Sequence, residues 1–181
     1  FCVRNLNSGD RFQVVSFSNE AVSLFEEVKP PDRPALEKAE KFINDLEATG
    51  GTNIQDALSM AFRQYGNRRG RPCVVVFITD GKPTIGETDE ETLLSLTGKM
   101  NDAGTRVFTF GIGHDINTRF LDHLTEQTRS FRTYIGPSDN IETVISAFYN
   151  KIRSPVLSDC RIAFEGSDVS MVYPADMPDL F

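Results

Sequence analysis

Residues 12–17, FQVVSF, form an apolar, β-branched run, and the polar trio Ser18, Asn19 and Glu20 separates it from a second apolar stretch, Ala21 to Phe25. Two strand-like runs joined by a short polar turn predict a hairpin. Pro30, Pro31 and Pro34 then interrupt the chain, and Leu36, Ala39, Ile43 and Leu46 recur at helical spacing until Gly50 and Gly51. That spacing predicts an amphipathic helix with a glycine stop. Past the glycines, Ile54, Ala57, Leu58, Ala61, Phe62 and Tyr65 follow the i, i+3, i+4, i+7 rule, and Thr52 with Gln55 fits a capping box at the start of this second helix.

The run Cys73 to Thr79, CVVVFIT, is continuously apolar over a strand length, as expected of a parallel strand covered on both faces, and is the candidate central strand. Thr88 and Glu91 fit a further capping box, Leu93, Leu96, Met100 and Ala103 form a helical stripe, and Thr105 to Ile112 reads as a strand. Phe120, Leu121 and Leu124 support a short helix, Phe131 to Ile135 a brief strand, and Ile141, Val144, Ile145, Phe148 and Ile152 a last helix that Pro155 stops. Strand and helix alternate, so the fold class is α/β: a doubly wound, mostly parallel sheet with helices on both faces over residues 1–153. Beyond Pro155 the pattern changes. Residues 156–164 and 169–173 are strand-like with no helix between them, and residues 154–181 read as the start of a following β-rich subdomain.

Composition narrows the function classes. The 181 residues carry a net charge of −7, which disfavours general nucleic-acid binding and favours a cation or a basic partner. The basic cluster Arg68, Arg69 and Arg71, beside Gly66 and Gly70, reads as a solvated helix-to-strand loop. No apolar run approaches the roughly 20 residues of a membrane span. Cys2, Cys73 and Cys160 are too widely spaced for a disulfide framework or a zinc knuckle, and Cys73 reads as a buried thiol. His114 and His123 have no cysteine nearby and read as loop and helix-surface residues. Phe1 does not look like a natural start.

Ligands of open parallel sheets bind beyond the carboxyl ends of the strands, which singles out two residues. Asp80, in ITDGKPT, follows the most apolar strand, and Thr52, in GGTNI, opens a helix after a glycine pair that permits close backbone approach. A hydroxyl and a carboxylate are hard oxygen donors of the kind Mg²⁺ or Mn²⁺ takes, about six in number, so together they suggest a partial metal site. Each alone also fits a plain structural role: Thr52 as a helix cap, Asp80 as a turn former.

The succession FQVVSFS, GGTNIQDAL, VVVFITDGKPTIGET, RVFTFGIGHDIN resembles the motif order of von Willebrand factor A domains. TDGKPTIGET and the tail SPVLSD with VYPADMPDLF resemble the group in inter-alpha-trypsin inhibitor heavy chains and their bacterial relatives, where a vault domain precedes the A domain. The resemblance implies a metal-ion-dependent adhesion site made by a DxSxS loop, a threonine matching Thr52 and an aspartate matching Asp80. No DxSxS occurs here; Asp168 and Ser170 lie in the tail and do not replace it. By the resemblance, the first strand, the DxSxS loop and most of the first helix belong before Phe1, with that strand between the one at 12–17 and the one at 73–79. Its absence predicts a gap of roughly 10 Å, two inter-strand spacings, seen as a cleft in preference to closure of the flanking strands.

The resemblance therefore implies a non-enzymatic, Mg²⁺- or Mn²⁺-dependent protein-binding module. Its partner is a protein ligand supplying an acidic side chain to the metal, its setting is extracellular or the cell envelope, and this chain alone is a weak cation binder. Two alternatives stand beside it: a Mg²⁺-dependent phosphotransfer or hydrolase domain using Asp80, for which Lys82 is the sole basic neighbour, and a metal-independent structural scaffold. No G-x-G-x-x-G or phosphate-loop motif supports a nucleotide reading, and GIGHD is only a weak glycine loop.

Overall fold

The computed structural model describes residues 1–48, 50–65, 72–80, 82–113 and 116–152, together with Phe164, Gly166 and Met171. Among these residues the chain opens with a 3-10 turn, Cys2–Asn5, and an antiparallel hairpin, β1 (Val15–Phe17) and β2 (Ala21–Ser23). It continues through α1 (Arg33–Asn44), α2 (Ile54–Tyr65), β3 (Val74–Thr79), α3 (Glu90–Met100), β4 (Arg106–Ile112), α4 (Thr118–Gln127), β5 (Arg132–Ile135) and α5 (Ile141–Ile152). Strands β3, β4 and β5 form one parallel sheet in sequence order, with pairing from Val74↔Arg106 to Thr79↔Gly111 and from Thr109↔Arg132 to Ile112↔Ile135. The alternating strand–helix pattern therefore gives the α/β architecture expected of it.

The hairpin forms with shorter strands than its apolar runs suggest. Gln13 explains this: its Oε1 accepts the Val14 and Phe25 N–H groups and its Nε2 donates to the Phe25 carbonyl, at 2.6–3.0 Å. A side-chain amide thus occupies the place of a peptide group, and regular pairing is interrupted between the Phe12↔Lys29 bridge and β1.

Strand β3 is not the central strand that its apolar run suggested. In the three-stranded sheet it lies at an edge, Val74 to Val76 are half-buried and Ile78 is 45% exposed, while β4 is paired on both sides and buried along most of its length. Apolar content reports face coverage, and it does not report whether both edges find a partner. Strands β1 and β3 do not pair; the Phe17 and Phe77 rings stack with centroids 5.4 Å apart between the hairpin and the parallel sheet.

The core lies on both faces of the parallel sheet. On one face Ile54, Leu58, Leu93, Val107, Phe120, Leu121 and Leu124 pack with Phe77, uniting α2, α3 and α4. On the other, Phe108, Phe110, Ile135 and Phe148 pack α5 down, with Phe148 edge-on to both Phe108 and Phe110. A third cluster, Phe12, Phe25, Ala35 and Ala39, seats α1 on the hairpin's outer part. Within α1 the expected stripe is only partly used: Ala39 is buried, but Ile43 is 41% exposed and Leu46 lies past the helix end, half exposed. Ala103 is likewise exposed and outside α3, and Ile141 begins α5 at the surface.

Neither predicted capping box forms, and in both helices the N-cap lies one residue later. Asn53 caps α2, its Oδ1 accepting the Asp56 N–H at 3.1 Å, and Asp89 caps α3, its carboxylate accepting the Thr92 N–H at 2.9 Å. Hydrogen bonds from the Thr92 side chain and backbone hold the Asp89 carboxyl below the ordinary carboxylate range. Amide and carboxylate oxygens rank at or above threonine as caps, and each stands immediately before the first helical residue. Cys73 is buried, as its surroundings suggest, and His123 is exposed on α4. The Arg68–Arg71 cluster, His114, Cys160, the Pro155 stop and both strand-like tail segments, apart from Phe164 and Met171, lie outside the described residues. No helix among the described residues is long and apolar enough to cross a membrane.

Two substitutions probe this core. Leu124→Ala removes a fully buried side chain from the face shared by α2, α3 and α4, and urea unfolding should show a loss of about 2–5 kcal/mol. Thr109 on β4 is fully buried, and its hydroxyl has no hydrogen-bond partner among the described residues. Thr109→Val should therefore raise stability by about 1 kcal/mol; a fall in the unfolding midpoint would reveal that the hydroxyl is satisfied.

Candidate functional site

Parallel pairing brings the carboxyl ends of β3, β4 and β5 to one edge of the sheet, together with the amino ends of the helices that follow. Asp80 is the first residue past β3 and is exposed. Thr52 lies in the loop leading into α2 and is half-buried. The Thr52 loop is tied to the segment after β3 through the Thr52 main chain: Thr52 N–H donates to the Thr84 side-chain Oγ1 at 2.7 Å, and Thr52 O accepts the N–H groups of Thr84 at 3.0 Å and Ile85 at 3.4 Å. Thr84 and Ile85, in the segment after β3, thus lie against the Thr52 loop.

The glycine pair serves this approach. A Cβ on Gly51 would fall 2.6 Å from Ile85 Cδ1 and 2.8 Å from Thr84 Oγ1, so only glycine lets the loops touch without displacement. Farther along, Gly86 sits at φ +73° against the Asn53 side chain, and Glu87 N–H donates to Gln55 Oε1 at 2.9 Å. Pro83 is buried within the same segment. Residues 84–87 therefore wrap the amino end of α2, and Gln55, expected as a capping partner of Thr52, instead fastens this wrap.

The hairpin turn grips the Thr52 loop from the opposite side. Asn19 Oδ1 accepts the Gly51 N–H at 2.6 Å, the Asn19 carbonyl accepts from Asn53 Nδ2 at 3.0 Å, and the Ser18 carbonyl accepts the Asn53 N–H at 2.8 Å. One turn later, Asp56 accepts the Ala21 N–H at 2.7 Å and ties β2 to α2. Asn19, Asn53 and Thr84 are the site residues that sequence reasoning passed over. Only Asn53 carried a signal, because an asparagine directly before an apolar helical run is a strong cap.

Because Asn53 caps α2, Thr52 is released from that role. Among the described residues, neither its hydroxyl nor the Asp80 carboxylate has a hydrogen-bond or ion-pair partner. A neutral hydroxyl and a carboxylate are hard oxygens, and they fit a hard divalent cation as two of about six ligands. Among the described residues no group of three histidine, cysteine, aspartate or glutamate side chains could hold a metal ion. The amino end of α2 carries partial positive charge, which opposes a cation unless carboxylate is close and favours an incoming anion.

Comparison with known proteins places this geometry. The family model described as von Willebrand factor type A domain matches residues 1–131. The chain is 29% identical over 175 residues to inter-alpha-trypsin inhibitor heavy chain H4 of Sus scrofa, covering 89% of this chain and 18% of that protein. It is 26% identical over 175 residues to the Bos taurus heavy chain H4, covering 93% of this chain and 19% of that protein. The chain thus spans about a fifth of the length of these curated relatives. Among solved structures, the von Willebrand factor type A protein from Catenulispora acidiphila superposes with a TM-score of 0.71 at 20% identity, covering 82% of this chain and 34% of that one. The proximal thread matrix protein 1 of the mussel byssus, in a form with a zinc-occupied MIDAS motif, gives 0.59 at 21% identity, covering 82% and 37%. These structural likenesses carry the fold, and the family match covers most of the chain: this protein belongs to the von Willebrand factor type A domain family.

Proposed function

We propose that this chain is a non-enzymatic, divalent-cation-dependent protein-binding module whose cation ligands include Thr52 and Asp80. The observation that carries the reading is the junction of the Thr52 loop with Thr84 and Ile85 after β3, beside which the Thr52 hydroxyl and the Asp80 carboxylate have no partner among the described residues. The mussel protein with a zinc-occupied MIDAS motif supports a metal site in a protein of this fold. Mg²⁺ or Mn²⁺ suits the oxygen donors present here better than a soft-ligand metal does.

Bound there, the cation would supply an open coordination position for a carboxylate of a partner protein. The chain's own residues prepare for that contact. Asp80 contributes a carboxylate, Thr52 a neutral oxygen, and the hairpin turn and residues 84–87 keep the Thr52 loop from rearranging. Two protein oxygens leave most of the shell to water, so affinity in this chain is weak. The heavy-chain relatives and the aerotolerance-related membrane protein of Bacteroides fragilis support an extracellular or cell-envelope setting.

Titration of Mn²⁺ followed by electron paramagnetic resonance tests the reading on this chain. Wild type should bind weakly, and Thr52→Ala and Asp80→Ala should each reduce binding by about tenfold or more without changing the unfolding midpoint by more than a few degrees. Binding that survives both substitutions would sink the assignment and leave a metal-independent scaffold.

A further inference from the structure

The two bonds that hold Thr52 in place come from a single residue. Thr84 accepts the Thr52 N–H through its hydroxyl at 2.7 Å and donates its own N–H to the Thr52 carbonyl at 3.0 Å. Both main-chain polar groups of Thr52 are thereby satisfied by the segment that carries Asp80, and Ile85 adds a second bond to the same carbonyl at 3.4 Å. With these groups occupied and the helix cap assigned to Asn53, no group among the described residues bonds to the Thr52 hydroxyl. We infer that Thr84 is a positioning residue for the cation site: its hydroxyl fixes the Thr52 loop against the segment after β3, so that the Thr52 hydroxyl is held in one place for the cation.

This inference rests on the reading of Thr52 as a ligand and adds a residue that touches no cation itself. Thr84 is exposed, so the bond is not a by-product of core packing. An exposed hydroxyl could as well be hydrated, and a 2.7 Å bond to the Thr52 amide gives it a definite task. The chemistry also predicts which replacement is tolerated. Serine keeps the accepting oxygen and valine keeps the shape, so the pair separates the hydrogen bond from the volume. Residues that orient a metal ligand cost about 10–100-fold in metal affinity when removed.

Mn²⁺ titration of the whole chain, with wild type, Thr84→Ser, Thr84→Val and Thr52→Ala measured together, decides the matter; thermal unfolding of each variant supplies the structural control. The expected result is wild-type affinity for Thr84→Ser, a loss of about tenfold for Thr84→Val, and unfolding midpoints that agree within a few degrees. Wild-type affinity in Thr84→Val, or an equal loss in Thr84→Ser, would overturn the positioning role while leaving Thr52 a ligand. A loss in Thr84→Val matched by a large drop in its midpoint would also overturn it, because the effect would then be general loosening. Absence of Mn²⁺ binding in wild type, or its persistence in Thr52→Ala, would overturn the ligand reading and the positioning role with it.

Discussion

Parallel pairing around β4 is the constraint on which the rest of this molecule depends. Because β3 and β5 both run alongside β4 in the same direction, every crossover must return over a face of the sheet, and every strand must deliver its following loop to the same edge. The helices on the two faces are consequences of that requirement, as are the two aromatic and aliphatic clusters that fill the space beneath them. The edge where loops gather then becomes the one place where residues distant in sequence can meet with their polar atoms uncommitted.

What gathers there is held by a chain of small polar residues. Asn19, Gly51, Asn53, Thr84 and Gln55 connect the hairpin turn, the start of α2 and the segment after β3 through side-chain-to-backbone bonds. Such bonds are individually modest, but they share partners, and a loop with several of them has few alternative conformations. Elsewhere on the same edge, Asn117 caps α4 and donates to Glu90 of α3 at 2.8 Å, so adjacent helix starts are also linked to each other.

Periodicity in the chain made most of the fold legible. The buried faces of α2 and α4 follow the spacing of Ile54, Leu58 and Phe62 and of Phe120, Leu121 and Leu124, and the hairpin follows from the polar interruption at Ser18–Glu20. Pairing partners were less legible. The run CVVVFIT looks fully enclosed, yet Ile78 is exposed, because apolar composition does not encode which strand lies alongside. The caps were displaced for a related reason: Thr52 and Thr88 match a motif, while Asn53 and Asp89 stand one residue nearer the helix. Thr52 and Asp80 could be nominated from their place after glycines and after a strand. Thr84 and Asn19 could not, since their roles exist only once three loops have met.

The contact at Gly51 has a consequence for how this protein can change over time. Residues 51 and 85 share a single volume, with Ile85 Cδ1 occupying the space where a side chain at 51 would begin. The positions are coupled in one direction: a larger residue at 51 requires the side chains at 84 and 85 to shift, or a smaller residue at 85. The two positions thus form one heritable unit, and lineages that abandon the glycine should be recognisable by a compensating reduction thirty-four residues downstream.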